Sequence, residues 1–330
     1  MELTIQRRTF VAGLSALVAS PAGVMALQSA KPARIGMLDP VAPSPWRQSL
    51  WDGFRERLRE LGYREGEHVA FDSRSAHGQA ERLPGLAMDL VRLNVDVIVA
   101  ASTPAALAAK GATRAIPIVM TNAGDPVATG LVSSLAHPGG NVTGLTTLSA
   151  ELSAKRLELL RQLATVSRVA VLWEEINPAF AIAVRELQVT ARSFRVDVLS
   201  FGAKAPDDVD RAFAAMKAQQ ADGLIVMPGA PFLVGRTRLV QLAAAHRLPA
   251  VYAQREFVEA GGLAAYGSSL SDLFVRAADF VVKILKGARP SDLPVEQPTK
   301  FELFLNLKAA RALGVTIPAA VAARADHIVQ

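Results

Sequence analysis

Short apolar segments of strand length alternate with longer amphipathic segments along most of this 330-residue chain. Segments 34–38, 95–101 and 116–120 are typical of buried strands, whereas segments 50–61 and 151–163 carry apolar residues at helical spacing. Such alternation predicts an α/β fold in which helices cover mainly parallel sheets. The chain is also long enough to form two domains with separate cores.

The alternation occurs in two successive series. The first series runs from Arg34 to about Asp125, and the second begins near Ser149 and continues to the strand at 301–306. Between them lies segment 135–147, which is rich in Gly, Thr and Asn and is typical of a connection rather than of a sheet or helix. The sequence therefore predicts two lobes of similar construction, with this segment as the first crossing between them.

Residues 1–26 have the composition of an export signal. Arg7 and Arg8 precede an apolar run that is too short to span a bilayer, and Val24-Met25-Ala26 matches a small-residue cleavage pattern. The segment Gln6-Arg7-Arg8-Thr9-Phe10 resembles a twin-arginine signal, and a general secretory signal with two arginines is the alternative. We expect cleavage near Ala26 and a periplasmic protein.

The residue patterns of several enzyme classes are missing. The loop after the first strand, 39–45, has three prolines and no glycine, so it lacks the flexible backbone that cradles a nucleotide phosphate. No P-loop or Gly-x-Ser-x-Gly elbow occurs, there is no cysteine, and the five histidines are scattered. We expect no catalytic residues, no cofactor and no metal, and the small net charge of +6 gives no reason to expect a nucleic-acid or membrane-surface partner.

Ligands of open α/β sheets bind outside the carboxyl ends of the strands, which makes the residues after each strand the candidates for a site. Ser102 and Thr103 precede a helix and could receive a carboxylate, or one of the two hydroxyls could be an ordinary N-cap. Asp125 could pair with an ammonium group or cap the following turn, and Trp46 could stack on a ligand or cover the helix terminus. The remaining candidates from this reasoning are Ser44, Asn177, Tyr252, Arg255 and Tyr266, with Arg255 equally compatible with a hinge or a surface ion pair.

Several short motifs resemble those of ABC-transporter substrate-binding proteins, a family with tryptophan- and phenylalanine-binding members. They are Glu60-Leu-Gly-Tyr63, Val95-Asp-Val-Ile-Val99, Thr103-Pro-Ala-Ala106, Ile116-Pro-Ile-Val119, Gly124-Asp-Pro126, Pro138-Gly-Gly-Asn-Val-Thr-Gly144, Glu256-Phe-Val-Glu-Ala-Gly-Gly-Leu263 and Lys286-Gly-Ala-Arg-Pro290. Each motif is weak alone, but together they cover the chain after the export signal.

The resemblance implies a type I periplasmic-binding-protein fold, in which two Rossmann-like lobes are joined by a three-crossing hinge and close on a ligand. It implies an N-lobe of residues 33–147 plus 263–298 and a C-lobe of residues 148–262 plus 299–330. It also implies ligand contacts from the turns that contain Pro104 and Pro126, and from Gly229 and Ala230.

One loop departs from the family pattern. Amino-acid-binding members carry Asp-Asn where this chain has Pro228-Gly-Ala-Pro231, so a carboxylate that could pair with an ammonium is missing. An aromatic or other organic acid is therefore an alternative to an amino acid. We expect a monomeric receptor that delivers a small-molecule solute to an ABC permease and its ATPase; a sensing subunit for a membrane kinase and an exported α/β hydrolase are the alternatives.

Overall fold

A computed structural model of the chain describes residues 31–205 and 207–330. Its first sheet has five parallel strands in the order β2-β1-β3-β4-β5. The elements of this region are β1 (Ala33–Asp39), α1 (Pro45–Glu60), β2 (Val69–Ser75), α2 (Leu83–Arg92), β3 (Val97–Ala100), α3 (Thr103–Ala112), β4 (Ile118–Ala123) and β5 (Val142–Thr146). The strand β3 is buried along its whole length because helices cover both faces of the sheet.

The second sheet has seven strands in the order β12-β11-β10-β9-β8-β6-β7. The elements from residue 149 onward are α4 (Ser149–Leu163), β6 (Arg168–Glu174), α5 (Pro178–Ser193), β7 (Asp197–Ala203), α6 (Asp208–Ala218), β8 (Gly223–Val226), α7 (Ala230–Val234), α8 (Arg236–Ala245), β9 (Ala250–Tyr252), α9 (Arg255–Glu259), β10 (Ala264–Ser268), α10 (Leu270–Leu285), β11 (Phe301–Asn306), α11 (Leu307–Leu313), α12 (Ala319–Ala322) and β12 (His327–Val329). The pairing of β10 with β11 is antiparallel, and the other pairings in the sheet are parallel.

The helix α10 returns the chain to the first lobe. Its apolar face, with Leu273, Phe274 and Ala277, packs in one core with Ile35 and Val99 of the first sheet. The preceding strand β10 lies in the second sheet, so the crossing comes after Ser268 and the predicted lobe boundary before residue 263 was too early. The local sequence of a buried strand does not determine which of the two sheets the strand joins.

Three crossings connect the lobes, and hydrogen bonds hold them side by side. At the first crossing, the N–H of Thr146 donates to the carbonyl of Glu296 at 3.0 Å, next to the third crossing. At the second crossing, the N–H of Ser269 donates to the carbonyl of Lys300 at 3.0 Å. The third crossing, residues 297–300, therefore lies between the other two.

Gly144 shows why β5 can lie so close to β4. It has φ +123°, and a Cβ at this position would lie 2.2 Å from the carbonyl oxygen of Met120. Only glycine tolerates both the backbone conformation and this approach. The register between β4 and β5 also shifts between Met120 and Ala123.

Some predicted elements differ from the structure. Segment 142–146, taken as part of the crossing, forms the strand β5. None of the helices within residues 31–205 and 207–330 is both long and apolar enough to cross a membrane. The predicted export signal, residues 1–26, lies outside the described residues.

Candidate functional site

A cavity lies between the lobes at the carboxyl ends of their strands, where ligands of α/β sheets bind. About 860 Å³ of space here is free of protein atoms, counted together with its opening to solvent. The lining residues are Pro40, Val41, Arg47, Ala80, Ala101, Ser102, Pro104, Asn122, Gly124, Thr147, Ser149, Leu152, Arg156, Glu174, Asn177, Phe180, Pro228, Gly229, Ala230, Leu233, Ala253, Gln254, Ser268 and Leu270.

Helix N-termini from both lobes reach this cavity. Ser102 precedes α3, Ser149 begins α4, Asn177 precedes α5 and Ala230 begins α7. The first N–H groups of a helix lack acceptors within the helix, and the positive end of the helix dipole lies there. These helix ends favour anionic ligand groups.

Ser102 has an unusual backbone conformation. Its φ of 115° and ψ of 166° lie in a region that is populated almost entirely by glycine. Its hydroxyl caps α3 by accepting a hydrogen bond from the Ala105 N–H at 3.4 Å. A strained residue that lines a cavity and caps a helix directed at it suggests a role in ligand binding.

Arg156 is the buried cation of the cavity. Only 2% of this residue is exposed, and its Nε donates to the carbonyl oxygen of Tyr266 at 2.8 Å. Its Nη1 has no hydrogen-bond partner within the described part of the chain, and no described carboxylate forms an ion pair with the guanidinium. Burial lowers the pKa of Arg156 to about 10, which leaves it charged at neutral pH. An anionic ligand group would stabilise it.

Glu174 is the buried anionic group of the same cavity. It ends β6, is 6% exposed and accepts a hydrogen bond from the backbone N–H of Ala230. Burial raises the pKa of Glu174 from its ordinary value of 4.5 to about 7, against the smaller opposing effect of that hydrogen bond. No Lys or Arg among residues 31–205 and 207–330 forms an ion pair with this carboxylate. A cationic ligand group would restore its ionised form.

A second buried arginine, Arg47, already has its counter-ion. Asp39 accepts hydrogen bonds from Nε and Nη2 of Arg47 at 2.7 and 3.0 Å, and from the indole of Trp51 at 2.7 Å. The guanidinium also lies 4.8 Å from the ring centre of Phe274. This pair is structural, since its charges are satisfied within the chain.

The structure places five of the sequence-predicted candidates on the cavity wall. They are Ser102, Pro104, Asn177, Gly229 and Ala230. The side chain of Asn177 also caps α5, because its Oδ1 accepts a hydrogen bond from the Ala179 N–H at 3.1 Å.

Three other polar candidates make contacts within the fold and do not line the cavity. Thr103 Oγ1 accepts the Gly124 N–H at 2.8 Å and so holds the turn after β4 against α3. Asp125 accepts the N–H groups of Val127 and Ala128, which is the turn-capping role left open above. Ser44 caps α1 by accepting the Arg47 N–H at 3.2 Å.

The remaining candidates also lie away from this cavity wall. Tyr252 is buried in the core of the second lobe, where it stacks on Phe257 with ring centres 4.8 Å apart. The ring of Tyr266 stacks on Phe301, and only its carbonyl approaches the site, through Arg156. Pro126 is buried and does not line this cavity.

Trp46 and Arg255 line a smaller neighbouring cavity, which we call the annex. Its other lining residues are Leu50, Ala253, Gln254, Glu256, Ala265, Gly267, Ser268, Leu270, Ser271, Glu302 and Phe304. Ala253, Gln254, Ser268 and Leu270 also line the main cavity, so the two spaces adjoin.

Sequence reasoning missed Arg156 and Glu174, although both have a recognisable signal. Arg156 lies four residues after Leu152 and four before Leu160, so it interrupts the apolar face of α4. Glu174 is the last residue of a buried strand, where ligand contacts are expected.

Comparison with known proteins identifies the family. Residues 35–329 match the family model described as ABC transporter substrate binding protein. The chain belongs to this family. Its two-lobed architecture, which a solved periplasmic binding protein shares, confirms the predicted type I fold.

Relatives of this substrate-binding protein are known in sequence and structure. A tyrosine-binding protein of Clostridioides difficile is 29% identical over 264 residues, which are 79% of this chain and 75% of that protein. A solved structure from Streptococcus pneumonia, an ABC domain in complex with L-Trp, is 27% identical over 90% of this chain and 100% of the other, with a TM-score of 0.84.

A third relative was solved in its ligand-free, open form. This substrate-binding protein from Clostridium difficile, described as having adhesive properties, is also 27% identical over 90% of this chain and 99% of the other, but its TM-score is 0.66. This chain therefore superimposes better on the L-Trp complex than on the ligand-free, open structure.

The described residues hold no cluster of three or more His, Asp or Glu side chains that could bind a metal ion. The family and the relatives above are binding proteins rather than enzymes.

Proposed function

We propose that this substrate-binding protein captures an α-amino acid in the cavity between its lobes. The observation that carries the proposal is the presence of two buried groups of opposite charge, Arg156 and Glu174, that pair with no oppositely charged side chain among the described residues. An α-amino acid carries a carboxylate for Arg156 and an ammonium for Glu174. A buried charge is destabilising until it is paired, so this ligand stabilises both groups at once.

Glu174 also favours an amino acid over an acid without an amine. The loop Pro228–Pro231 lacks the carboxylate of the amino-acid-binding members, but Glu174 lies against this loop through its hydrogen bond with Ala230. The carboxylate therefore comes from the end of β6 instead of from the loop. The names of the relatives, one a tyrosine-binding protein and one solved with L-Trp, support the same ligand class.

The remainder of the proposal concerns the protein's place in the cell. Residues 1–26 would direct it across the inner membrane and be removed near Ala26, which would leave a periplasmic monomer. The loaded receptor would then deliver its amino acid to an ABC permease and its ATPase. Membership of the substrate-binding family supports these partners.

The test is a comparison of ligands that differ by one charge. In isothermal titration calorimetry, L-amino acids should bind, whereas the same molecules without the α-amine, such as phenylpropanoate in place of L-phenylalanine, should bind at least about tenfold more weakly. The expected factor follows from the value of about 1.5–3 kcal/mol for a hydrogen bond to a charged group.

Arg156→Met provides the matching variant, with Arg161→Met on the exposed side of the same helix as its control. Arg156→Met should weaken amino-acid binding by about 10- to 100-fold. Its unliganded form should remain at least as stable as the wild type, because methionine removes a buried charge that has no counter-ion in the chain. Binding of the amine-free acids in preference to amino acids would contradict the proposal.

A further inference from the structure

The annex adjoins the main cavity on the side of the crossings. Gln254 and Ser268 belong to both walls, so the two cavities lie next to each other. Trp46 and Leu50 contribute from α1 of the first lobe, whereas Glu256, Glu302 and Phe304 contribute from the second. Like the main cavity, the annex is therefore bounded by both lobes.

Two buried acceptor oxygens characterise the annex. Oε2 of Glu256 and Oε1 of Gln254 are shielded from solvent, and neither has a hydrogen-bond partner in residues 31–205 and 207–330. Glu256 as a whole is only 6% exposed. Its other oxygen, Oε1, lies 3.6 Å from Nε of Arg255, which is too far for a normal hydrogen bond.

The charged groups around these oxygens do not satisfy them. Arg255 is 41% exposed and shares its guanidinium between Glu256 and Glu259, each at 3.6 Å. Glu302 adds a further carboxylate to the wall. Burial raises the pKa of Glu256 to about 7, although the positive charges of Arg255 and Arg236 act to lower it.

We propose that the annex is a second subsite, which binds a hydrogen-bond donor at the far end of the ligand's side chain. The inference rests on the proposed function, since the α-amino and α-carboxyl groups would be held by Glu174 and Arg156. The substrate class is then an α-amino acid whose side chain ends in a donor, either a neutral O–H or N–H group or an ammonium.

The same buried oxygens disfavour ligands whose side chains are purely apolar or end in a carboxylate. A purely apolar side chain would leave two buried acceptors without partners, which costs about 1–3 kcal/mol for each group. A side chain that ends in a carboxylate would meet Glu256 and Glu302 and be repelled. Trp46, Leu50 and Phe304 supply apolar surface for the part of the side chain that precedes its terminal donor.

Two pairs of ligands that differ in one terminal donor provide the test. L-tyrosine is compared with L-phenylalanine for a neutral donor, and L-lysine with L-norleucine for an ammonium, by titration calorimetry. In at least one pair the donor-bearing member should bind at least about tenfold more tightly. The pair that shows the preference identifies whether the subsite binds a neutral donor or an ammonium.

Glu256→Gln tests the assignment of the subsite. The change preserves shape but replaces one acceptor oxygen by an NH₂ group, so the donor preference should fall at least about fivefold. Glu259→Gln is the matched control, because Glu259 is on the same helix and contacts Arg255 but does not line the annex. If Glu256→Gln fails to fold, Gln254→Met removes the other acceptor and should reduce the preference likewise.

The outcomes separate the two proposals. Equal binding within both pairs, or an unchanged preference in both Glu256→Gln and Gln254→Met, would overturn the annex subsite and leave amino-acid binding intact. Binding of no amino acid at all would overturn both the proposed function and the subsite that depends on it.

Discussion

Replacing Glu174 by glutamine should change both the stability of the protein and its affinity for an amino acid. The substitution preserves the size of the side chain at the end of β6 and retains an oxygen that can accept the hydrogen bond from Ala230. It removes the titrating carboxylate. The adjacent Glu175 is 40% exposed and pairs with Lys204, so Glu175→Gln is the control.

The structure gives the size and the sign of the stability change. The pKa of Glu174 is about 7 in the folded protein and about 4.5 in the unfolded chain. Between these pH values the folded state retains a proton that the unfolded state has released, so the free energy of unfolding falls as pH rises. At about 1.4 kcal/mol per pH unit, ionisation of Glu174 removes about 3 kcal/mol by pH 8.

Urea unfolding of the unliganded protein at pH 5 and pH 8 measures this effect. The loss of stability between these pH values should be about 2.5 kcal/mol smaller in Glu174→Gln than in the wild type. Glu256, whose pKa is also raised to about 7, retains its own contribution in both proteins. Glu175→Gln should behave like the wild type.

Ligand affinity depends on pH in the opposite direction. The carboxylate form of Glu174 is the one that pairs with an ammonium, so wild-type affinity should weaken by up to about tenfold for each pH unit below 7. Glu174→Gln should bind weakly and should lose this dependence. The reasoning is refuted if the variant keeps the wild-type pH dependence of stability, or if its affinity for amino acids is unchanged.

Two further predictions concern backbone strain. Ser102→Gly should raise the free energy of unfolding by about 1 kcal/mol, because relief of about 1–3 kcal/mol of backbone strain exceeds the few tenths of a kcal/mol lost with the helix cap. The affinity for amino acids should fall. Urea unfolding measures the stability change, and titration calorimetry measures the affinity change. Gly144→Ala should cost about 3 kcal/mol or more, since its Cβ would meet the Met120 carbonyl at a positive φ. Gly140→Ala, where the added carbon contacts nothing, should be nearly neutral in the same unfolding assay.

The alternation of strands and helices was sufficient to predict the two-lobed α/β fold. It missed β2, because Val69–Ser75 is an edge strand with polar residues at several positions and lacks the continuous apolar run of β3. The lobe bounds implied by the family resemblance assigned residues 263–268 to the first lobe, whereas β10 lies in the second sheet. That assignment depends on the antiparallel pairing of β10 with β11, which is a contact between distant parts of the chain.

Local signals predicted part of the candidate site. Ser102 and Asn177 follow buried strands and cap helices, and both reach the cavity. Arg156 comes from the interior of a helix, and its importance depends on which side chains surround it after folding. Tyr252 follows the same strand-end pattern as Ser102 but points into the core, because the pattern does not specify the direction of a side chain.

The hydrogen-bonded arrangement of the three crossings limits how the lobes can move. Since Glu296, next to the third crossing, is bonded to the first crossing and Lys300 is bonded to the second, we expect the three crossings to bend together as one ribbon. A ribbon of three joined segments folds easily about one axis and resists twisting or shearing in other directions. We therefore expect the lobes to open by rotation about a single hinge axis. A permease that contacts both lobes would then distinguish two well-defined shapes, one for an empty and one for an occupied receptor, instead of a continuum of partly closed forms.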